Sequence, residues 1–164
     1  MRLRLALLGL LLLAGRVSAE APQELPLVDH VVVRKAERVM QLYAEGRLVH
    51  TIEGVQLGDA PVGPKQFQGD ERTPEGRFAI DYGNPNSAYH LSLHISYPRP
   101  EDVTYAASQG RRPGGAIFIH GQPNDWADER VPGDWTDGCI ALSNAEMDLL
   151  WDTVPDGTVI DILP

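Results

Sequence analysis

The chain carries a single cysteine among its 164 residues, Cys139, and the residues around it suit a nucleophile. Cys139 follows Gly138 and begins a short apolar run, 139–142, that leads straight into Ser143. A glycine before a nucleophile lets a substrate approach the backbone closely, and consecutive main-chain amides at such a turn can point at a developing oxyanion. A free thiol has a pKa of about 8.5 and is mostly protonated near neutrality, whereas the thiolate is the nucleophile. An imidazole within hydrogen-bond reach removes that proton and later returns it to a leaving amine. His120 is the candidate base: it ends the apolar run 116–119 and is followed by Gly121, a strand-to-loop transition like the one at Cys139. Two reactive side chains at strand rims, joined by the 18-residue segment 121–138, can meet in a cleft without being sequence neighbours. The competing readings are a buried cysteine acting as a small hydrophobe and a strand-end histidine satisfied by its surroundings. Thiol reactivity separates them. A catalytic Cys139 is expected to alkylate at a rate that titrates below the free-thiol value, and a structural one only on unfolding.

The elements that must position this pair are mainly strands. Residues 28–34 are rich in β-branched side chains, and runs at 38–43 and 47–55 flank Glu45-Gly46, a hairpin turn. Residues 58–76 hold four glycines and three prolines and read as a long irregular connection ending in the turn Thr73-Pro74-Glu75-Gly76. Strands follow at 77–82 and 90–96; in the second, Leu91, Leu93 and Ile95 alternate with Ser92, His94 and Ser96, the period of a half-buried strand. Residues 101–109 form a short helix, acidic at its start and closed by Gly110. Residues 116–120 return to strand. Ser143 to Glu146 is a capping box, and Met147, Leu150, Trp151 and Val154 recur at helical spacing. Residues 158–163 are the closing strand. The expectation is a single, mainly β domain over 27–164 with two short helices.

The first residues bear on where the thiol works. Arg2 and Arg4, an apolar stretch at 5–14 and the small residues Val17-Ser18-Ala19 make a secretory signal peptide, 1–19, followed by a Pro- and Glu-rich tail at 20–26. About ten apolar residues fall short of the roughly 20 that span a bilayer, so no stable membrane anchor is expected after cleavage. Removing 19 of the 164 residues leaves 145, the size of one ordinary domain. Loss of Arg2, Arg4 and Arg16 takes the formal charge from -9 to -12, which argues against nucleic acid as a partner. Export to an oxidising compartment makes a lone, unpairable cysteine informative, since thiols there usually pair.

The residues His120-Gly121 and Thr136-Asp137-Gly138-Cys139-Ile140-Ala141-Leu142 resemble the signature of the L,D-transpeptidase catalytic domain family (YkuD-type), and Thr73-Pro74-Glu75-Gly76-Arg77-Phe78 is similar to that family's Thr-Pro-x-Gly-x-Phe turn. Residues 91–98, Gly114-Gly115 and the last helix and strand fall in the expected order, so the resemblance covers roughly 28–162. It implies an L,D-transpeptidase-like β-sandwich or barrel in the periplasm, acting on peptidoglycan stem peptides. Cys139 would attack the carbonyl of the third stem residue, expel D-alanine and form a thioester, which an amine resolves: a diaminopimelate side chain on another stem, or a lysine of an envelope protein. Water in place of the amine makes a hydrolase. His120 would be the base, with Gly121 supplying the orienting carbonyl and the amides of Gly138 and Cys139 the oxyanion donors. No metal or organic cofactor is implied.

Two positions depart from the family's common pattern. Many members carry histidine at the position of Asp137 and arginine at that of Ala141, so a cationic contact for substrate carboxylates is missing. Arg99, Arg111, Arg112 and Arg130 are candidate replacements, each with a solvated surface role as the alternative. Asp137 either shapes the turn by bonding backbone amides, the favoured reading, or contacts a substrate amine. His94, on the polar face of its strand, lines the cleft or faces solvent. Trp126 and Trp135 pack against substrate or anchor the loop. A zinc site at His120 and Cys139 lacks any short-spaced ligand pair. Outside enzymes, the alternatives are a non-catalytic wall-binding domain and a dimer linked through Cys139.

Overall fold

A computed structural model describes residues 25–126 and 128–164; the expected leader, 1–19, and most of the 20–26 tail lie outside the described residues. Eight strands and two helices follow in the order β1 (His30–Arg34), β2 (Val39–Ala44), β3 (Arg47–Glu53), β4 (Gly76–Ser87), β5 (His90–Ile95), α1 (Pro100–Ser108), β6 (Ile117–His120), β7 (Ile140–Ala141), α2 (Asn144–Thr153) and β8 (Thr158–Leu163). The expected mainly β architecture with two short helices is what the chain adopts. The strands form one sheet in the order β3-β2-β1-β8-β4-β5-β6-β7, in which β1 with β8 and β6 with β7 are parallel and the other pairs antiparallel.

Local chemistry explains the elements. Glu45 and Gly46 both have positive φ, 51° and 72°, the geometry of a two-residue hairpin turn whose twist matches its strands. Ser143 Oγ caps α2 by accepting from Glu146 N–H, while the Glu146 carboxylate accepts from Ser143 N–H at 2.8 Å. β4 runs five residues beyond the expected 77–82, through Gly83-Asn84-Pro85-Asn86, where composition signals a break. Gly83 is needed there because a Cβ would lie 2.7 Å from the Trp151 ring of α2, so the glycine lets the helix seat on the sheet. The two-residue β7 escaped sequence reading because its length is below any detectable period.

The sheet curls around a core that includes Met40, Leu42, Ile80, Ile95, Ile119, Ile140, Leu142, Leu150 and Ile160, all fully buried. The curl brings its ends together. Past β3, Gln56 pairs with Ala141 of β7 through two backbone hydrogen bonds of 3.0 and 2.9 Å, and Gly58 bridges to Thr136. The segment that follows β3 thus lies along the outer edge of β7 and satisfies the amides an open edge would leave bare.

The connection 58–76 is irregular yet tightly held. The buried Lys35 ammonium donates to Gly63 O (2.7 Å), Thr73 O (3.0 Å) and the Glu75 carboxylate (2.9 Å). Thr73, fully buried, accepts from Gly58 N–H through its hydroxyl. This connection forms the floor against which the Cys139 turn rests.

Candidate functional site

β6 and the residue preceding β7 carry His120 and Cys139 to one face. The parallel register sets Ile119 against Ile140 and His120 against Ala141; one residue earlier, Cys139 falls opposite Phe118, whose N–H donates to Cys139 Sγ at 3.4 Å. Residues in register on parallel strands share a face, as do i and i+2 along a strand, so Cys139, Phe118 and His120 all face the same way. His120 is one strand over and two residues along from Cys139, a diagonal within reach of long side chains. Both line a cleft of about 550 Å³, together with Tyr89, Ser92, Trp135 and Asp137. That volume is in the range of small-molecule sites and holds several residues of an extended peptide.

The imidazole has a fixed orientation. Nδ1 donates to Gly121 O at 2.7 Å, which leaves Nε2 as the lone-pair nitrogen. Tyr89 and Trp135 flank the ring at centroid distances of 4.7 and 5.6 Å. Burial pushes the His120 pKa below its ordinary value, with the Gly121 carbonyl opposing. Burial also pushes the Cys139 thiol up, the Phe118 N–H lowering it and the Asp137 carboxylate raising it further. The resting pair is therefore a neutral thiol beside a neutral imidazole. This direction is opposite to that of a thiol titrating below the free value, because desolvation outweighs the single N–H donor. Sγ is not bonded to the imidazole; its hydrogen points at Ala116 O, 3.7 Å away.

Backbone geometry at the turn is set by Thr136 rather than Asp137. Thr136 Oγ1 donates to Cys139 O at 2.7 Å and accepts from Gly138 N–H at 3.2 Å. Asp137 is exposed, lines the cleft and makes no side-chain hydrogen bond among the described residues, so the turn-shaping role favoured from sequence does not hold. Gly138 has φ 126°, and a Cβ there would lie 2.5 Å from Arg72 O. Its N–H, expected to face an oxyanion, is turned toward Thr136; among the described residues the Cys139 N–H has no acceptor. Gly121 is required by space, since a Cβ would meet Asn144 Oδ1 at 2.5 Å and His90 Cβ at 2.9 Å.

The long 121–138 segment is pinned from beneath. The buried Gln122 amide donates to Gln56 Oε1 (3.1 Å) and Leu142 O (2.6 Å) and accepts from Val131 N–H (2.8 Å). Asp134 pairs with Arg38 and accepts from Leu57 N–H. Trp135 sits in the cleft against His120, whereas Trp126 is exposed and outside it. Sequence reasoning quoted Thr136 within the family motif but gave it no role, and it missed Tyr89 and Ser92. Only Ser92 carried a signal, as a polar residue on the alternating strand that also bears His94.

Ala141 is fully buried and presents no cation. Arg99 is committed to Asp102, Arg130 to Glu146, and Arg111 covers the Phe67 ring. Arg112 lines a second cavity of about 700 Å³, which shares Gly115, Ala116 and Asp137 with the cleft. His94 is not among the residues lining the cleft; it lies half-buried next to Phe118, bonded to Asp81 at 2.6 Å.

Residues 28–162 match the model of the L,D-transpeptidase catalytic domain, YkuD. The chain belongs to this family. It is 26% identical over 135 residues to the Escherichia coli K12 protein named "Putative L,D-transpeptidase YafK", covering 79% of this chain and 48% of that one. Among solved structures it resembles the helical cell shape determining protein Pgp2 from Campylobacter jejuni, with TM-score 0.66 and 25% identity over 87% of this chain and 51% of the other. An L,D-transpeptidase from Xylanimonas cellulosilytica shares the fold at TM-score 0.53 and 18% identity, covering 84% of this chain and 61% of that chain. The chain spans about half the length of the curated relatives it matches. Family membership agrees with the resemblance drawn from the His120-Gly121 and Gly138-Cys139 motifs.

Proposed function

We propose that this domain is a cysteine acyltransferase of the cell envelope that acts on peptidoglycan stem peptides through a thioester on Cys139. The observation that carries the proposal is the convergence of Cys139 and His120 on one face of a single cleft, with Nδ1 of the imidazole fixed on Gly121 O.

The chemistry follows from the neutral resting pair. A stem-peptide carbonyl enters beside Sγ, and as the sulfur attacks the carbon, the thiol proton passes to His120 Nε2 after rotation of Sγ away from Ala116 O. The carbonyl oxygen becomes an oxyanion that accepts from the Cys139 N–H. Collapse breaks the amide bond, the proton on Nε2 moves to the departing D-alanine nitrogen, and a thioester remains. An amine then attacks the thioester, gives its proton to Nε2, and the thiolate leaves and recovers that proton. The acceptor is a diaminopimelate side chain or an envelope-protein lysine. Water in the same position makes the domain a hydrolase. The exposed, unbonded Asp137 carboxylate at the rim favours an ammonium acceptor, because it is the nearest free charge in the cleft and has the complementary sign.

Incubation of the protein with a stem tetrapeptide followed by mass spectrometry tests the reading. The expected results are an acyl adduct on Cys139 and no turnover by Cys139→Ala. Full activity in the alanine variant refutes the mechanism. Product analysis at rising acceptor-amine concentration separates transfer from hydrolysis, since a hydrolase is indifferent to the amine.

A further inference from the structure

Cys139 lies at the end of a row of aromatic rings that crosses the sheet. Tyr82 of β4 is in register with His94 of β5, His94 with Phe118 of β6, and Phe118 reaches Cys139 through its N–H. Tyr82 and His94 stack at 4.6 Å with planes 16° apart, and His94 meets Phe118 edge-on at 4.9 Å. Asp81 holds His94 through Nδ1, and Tyr82 is 46% exposed. Phe118 and Asn84 belong to the cleft wall, so the platform continues the cleft away from the nucleophile.

We infer that this platform is a subsite for the amino sugar that carries the stem peptide. The inference rests on the function proposed above and concerns the part of the substrate remote from the scissile bond. Neighbouring strands lie about 4.8 Å apart, so three steps from β7 to β4 put Tyr82 about 14 Å from Cys139. Three extended residues span about 10 to 11 Å at most, which leaves about 3 Å to Tyr82, and the group N-terminal to them covers that gap and reaches the ring. A pyranose offers a face of C–H groups that packs on an aromatic plane, and its hydroxyl and acetamido groups meet the Asp81 carboxylate and the His94 ring at the platform's edge. The stack is pre-ordered by the Asp81–His94 bond, which lowers the entropic cost of seating a sugar.

The test compares kcat/KM for a free stem tetrapeptide with that for the same peptide on a GlcNAc–MurNAc disaccharide. The wild type is expected to favour the disaccharide form by about tenfold, Tyr82→Ala to bring the ratio near one, and Tyr82→Phe to retain it. A ratio near one in the wild type, or one unchanged in Tyr82→Ala, overturns the subsite. A second measurement is independent of turnover: NMR titration of Cys139→Ala with the peptide-free disaccharide should shift the Tyr82 and His94 resonances. If neither peptide is turned over but these shifts occur, the acyltransfer reading fails and the sugar site stands. No shift at millimolar disaccharide overturns the sugar site whatever the turnover.

Discussion

Three glycines of the 121–138 segment, which leads into Cys139, separate two reasons for lacking a side chain, and a matched series of alanine variants makes the distinction measurable. Gly133 has φ 73° with nothing within 4 Å of an added Cβ; only the left-handed backbone opposes alanine, at about 1 to 2 kcal/mol. Gly121 has no positive φ, but a Cβ meets Asn144 Oδ1 at 2.5 Å, His90 Cβ at 2.9 Å and Tyr89 O at 3.1 Å, a packing cost of about 1 to 3 kcal/mol. Gly138 suffers both: at φ 126° the backbone strain is about 1 to 3 kcal/mol, and relieving the 2.5 Å contact with Arg72 O requires the backbone of the 58–76 connection to move, at about 1 to 3 kcal/mol more. Urea denaturation should therefore rank the variants Gly133→Ala, Gly121→Ala, Gly138→Ala in rising loss, the last at about 2 to 6 kcal/mol. Alkylation of Cys139 by iodoacetamide should change in Gly138→Ala and hold in Gly133→Ala. A Gly138→Ala protein within about 0.5 kcal/mol of wild type, with unchanged alkylation, refutes the claim that the Cys139 turn is wedged against Arg72.

Two further outcomes follow from the buried groups. Because burial lowers the His120 pKa, the acid limb of kcat/KM for the proposed acyl transfer should lie below the ordinary imidazole value of about 6.5, and because burial raises that of Cys139, alkylation of the free protein should keep rising with pH beyond the ordinary thiol range. In stability terms, the unfolded chain binds a proton at His120 below about 6.5 that the fold refuses, so stability falls as pH drops through that window; the unfolded thiol ionises before the folded one, so stability also falls as pH rises past the ordinary thiol value. A thiol that alkylates with an acid-shifted profile contradicts the neutral pair. Lys35→Met removes a cation that is 3% exposed and three of the bonds holding 58–76, and should cost about 3 kcal/mol in urea denaturation and slow acyl-adduct formation as well, since that connection carries Arg72 and Thr73. Unchanged stability would show that the connection is held by something other than Lys35.

Strands and helices were legible where one period or one cap dominates: the alternation at 91–96, the Ser143–Glu146 box and the Glu45-Gly46 turn each carry a local signal strong enough to survive tertiary packing. That Cys139 and His120 would share a cleft was legible because the chain holds a single cysteine and the motifs around both residues are specific. What escaped was set by contacts distant in sequence. β4 passes through Gly83 to Asn86 because Trp151, in a helix 68 residues later, fills the space the glycine leaves. Gln56 and Gln122 pin the 121–138 segment from opposite ends of the curled sheet, and no pattern in either neighbourhood signals it. Asp137 was assigned to the turn because aspartate commonly bonds nearby amides, but Thr136 one residue earlier already occupies those positions.

That displacement has a consequence for the chemistry. With Thr136 holding the turn, the carboxylate beside the nucleophile is left uncommitted, and an uncommitted anion there opposes the thiolate. A thiolate waiting beside Asp137 would be penalised in every resting molecule, whereas a thiol that loses its proton only during attack is not. His120 suits the second regime if it is the base proposed above: buried, with its pKa lowered and Nδ1 tied to Gly121 O, it would take a proton once a substrate had excluded water from the cleft. In the proposed mechanism the same carboxylate would then attract a cationic amine at the thioester stage, where no thiolate remains to be repelled. Under the proposed mechanism one exposed aspartate would thus disfavour idle ionisation of Cys139 and favour the arrival of the acceptor, with the two effects separated in time by formation of the thioester.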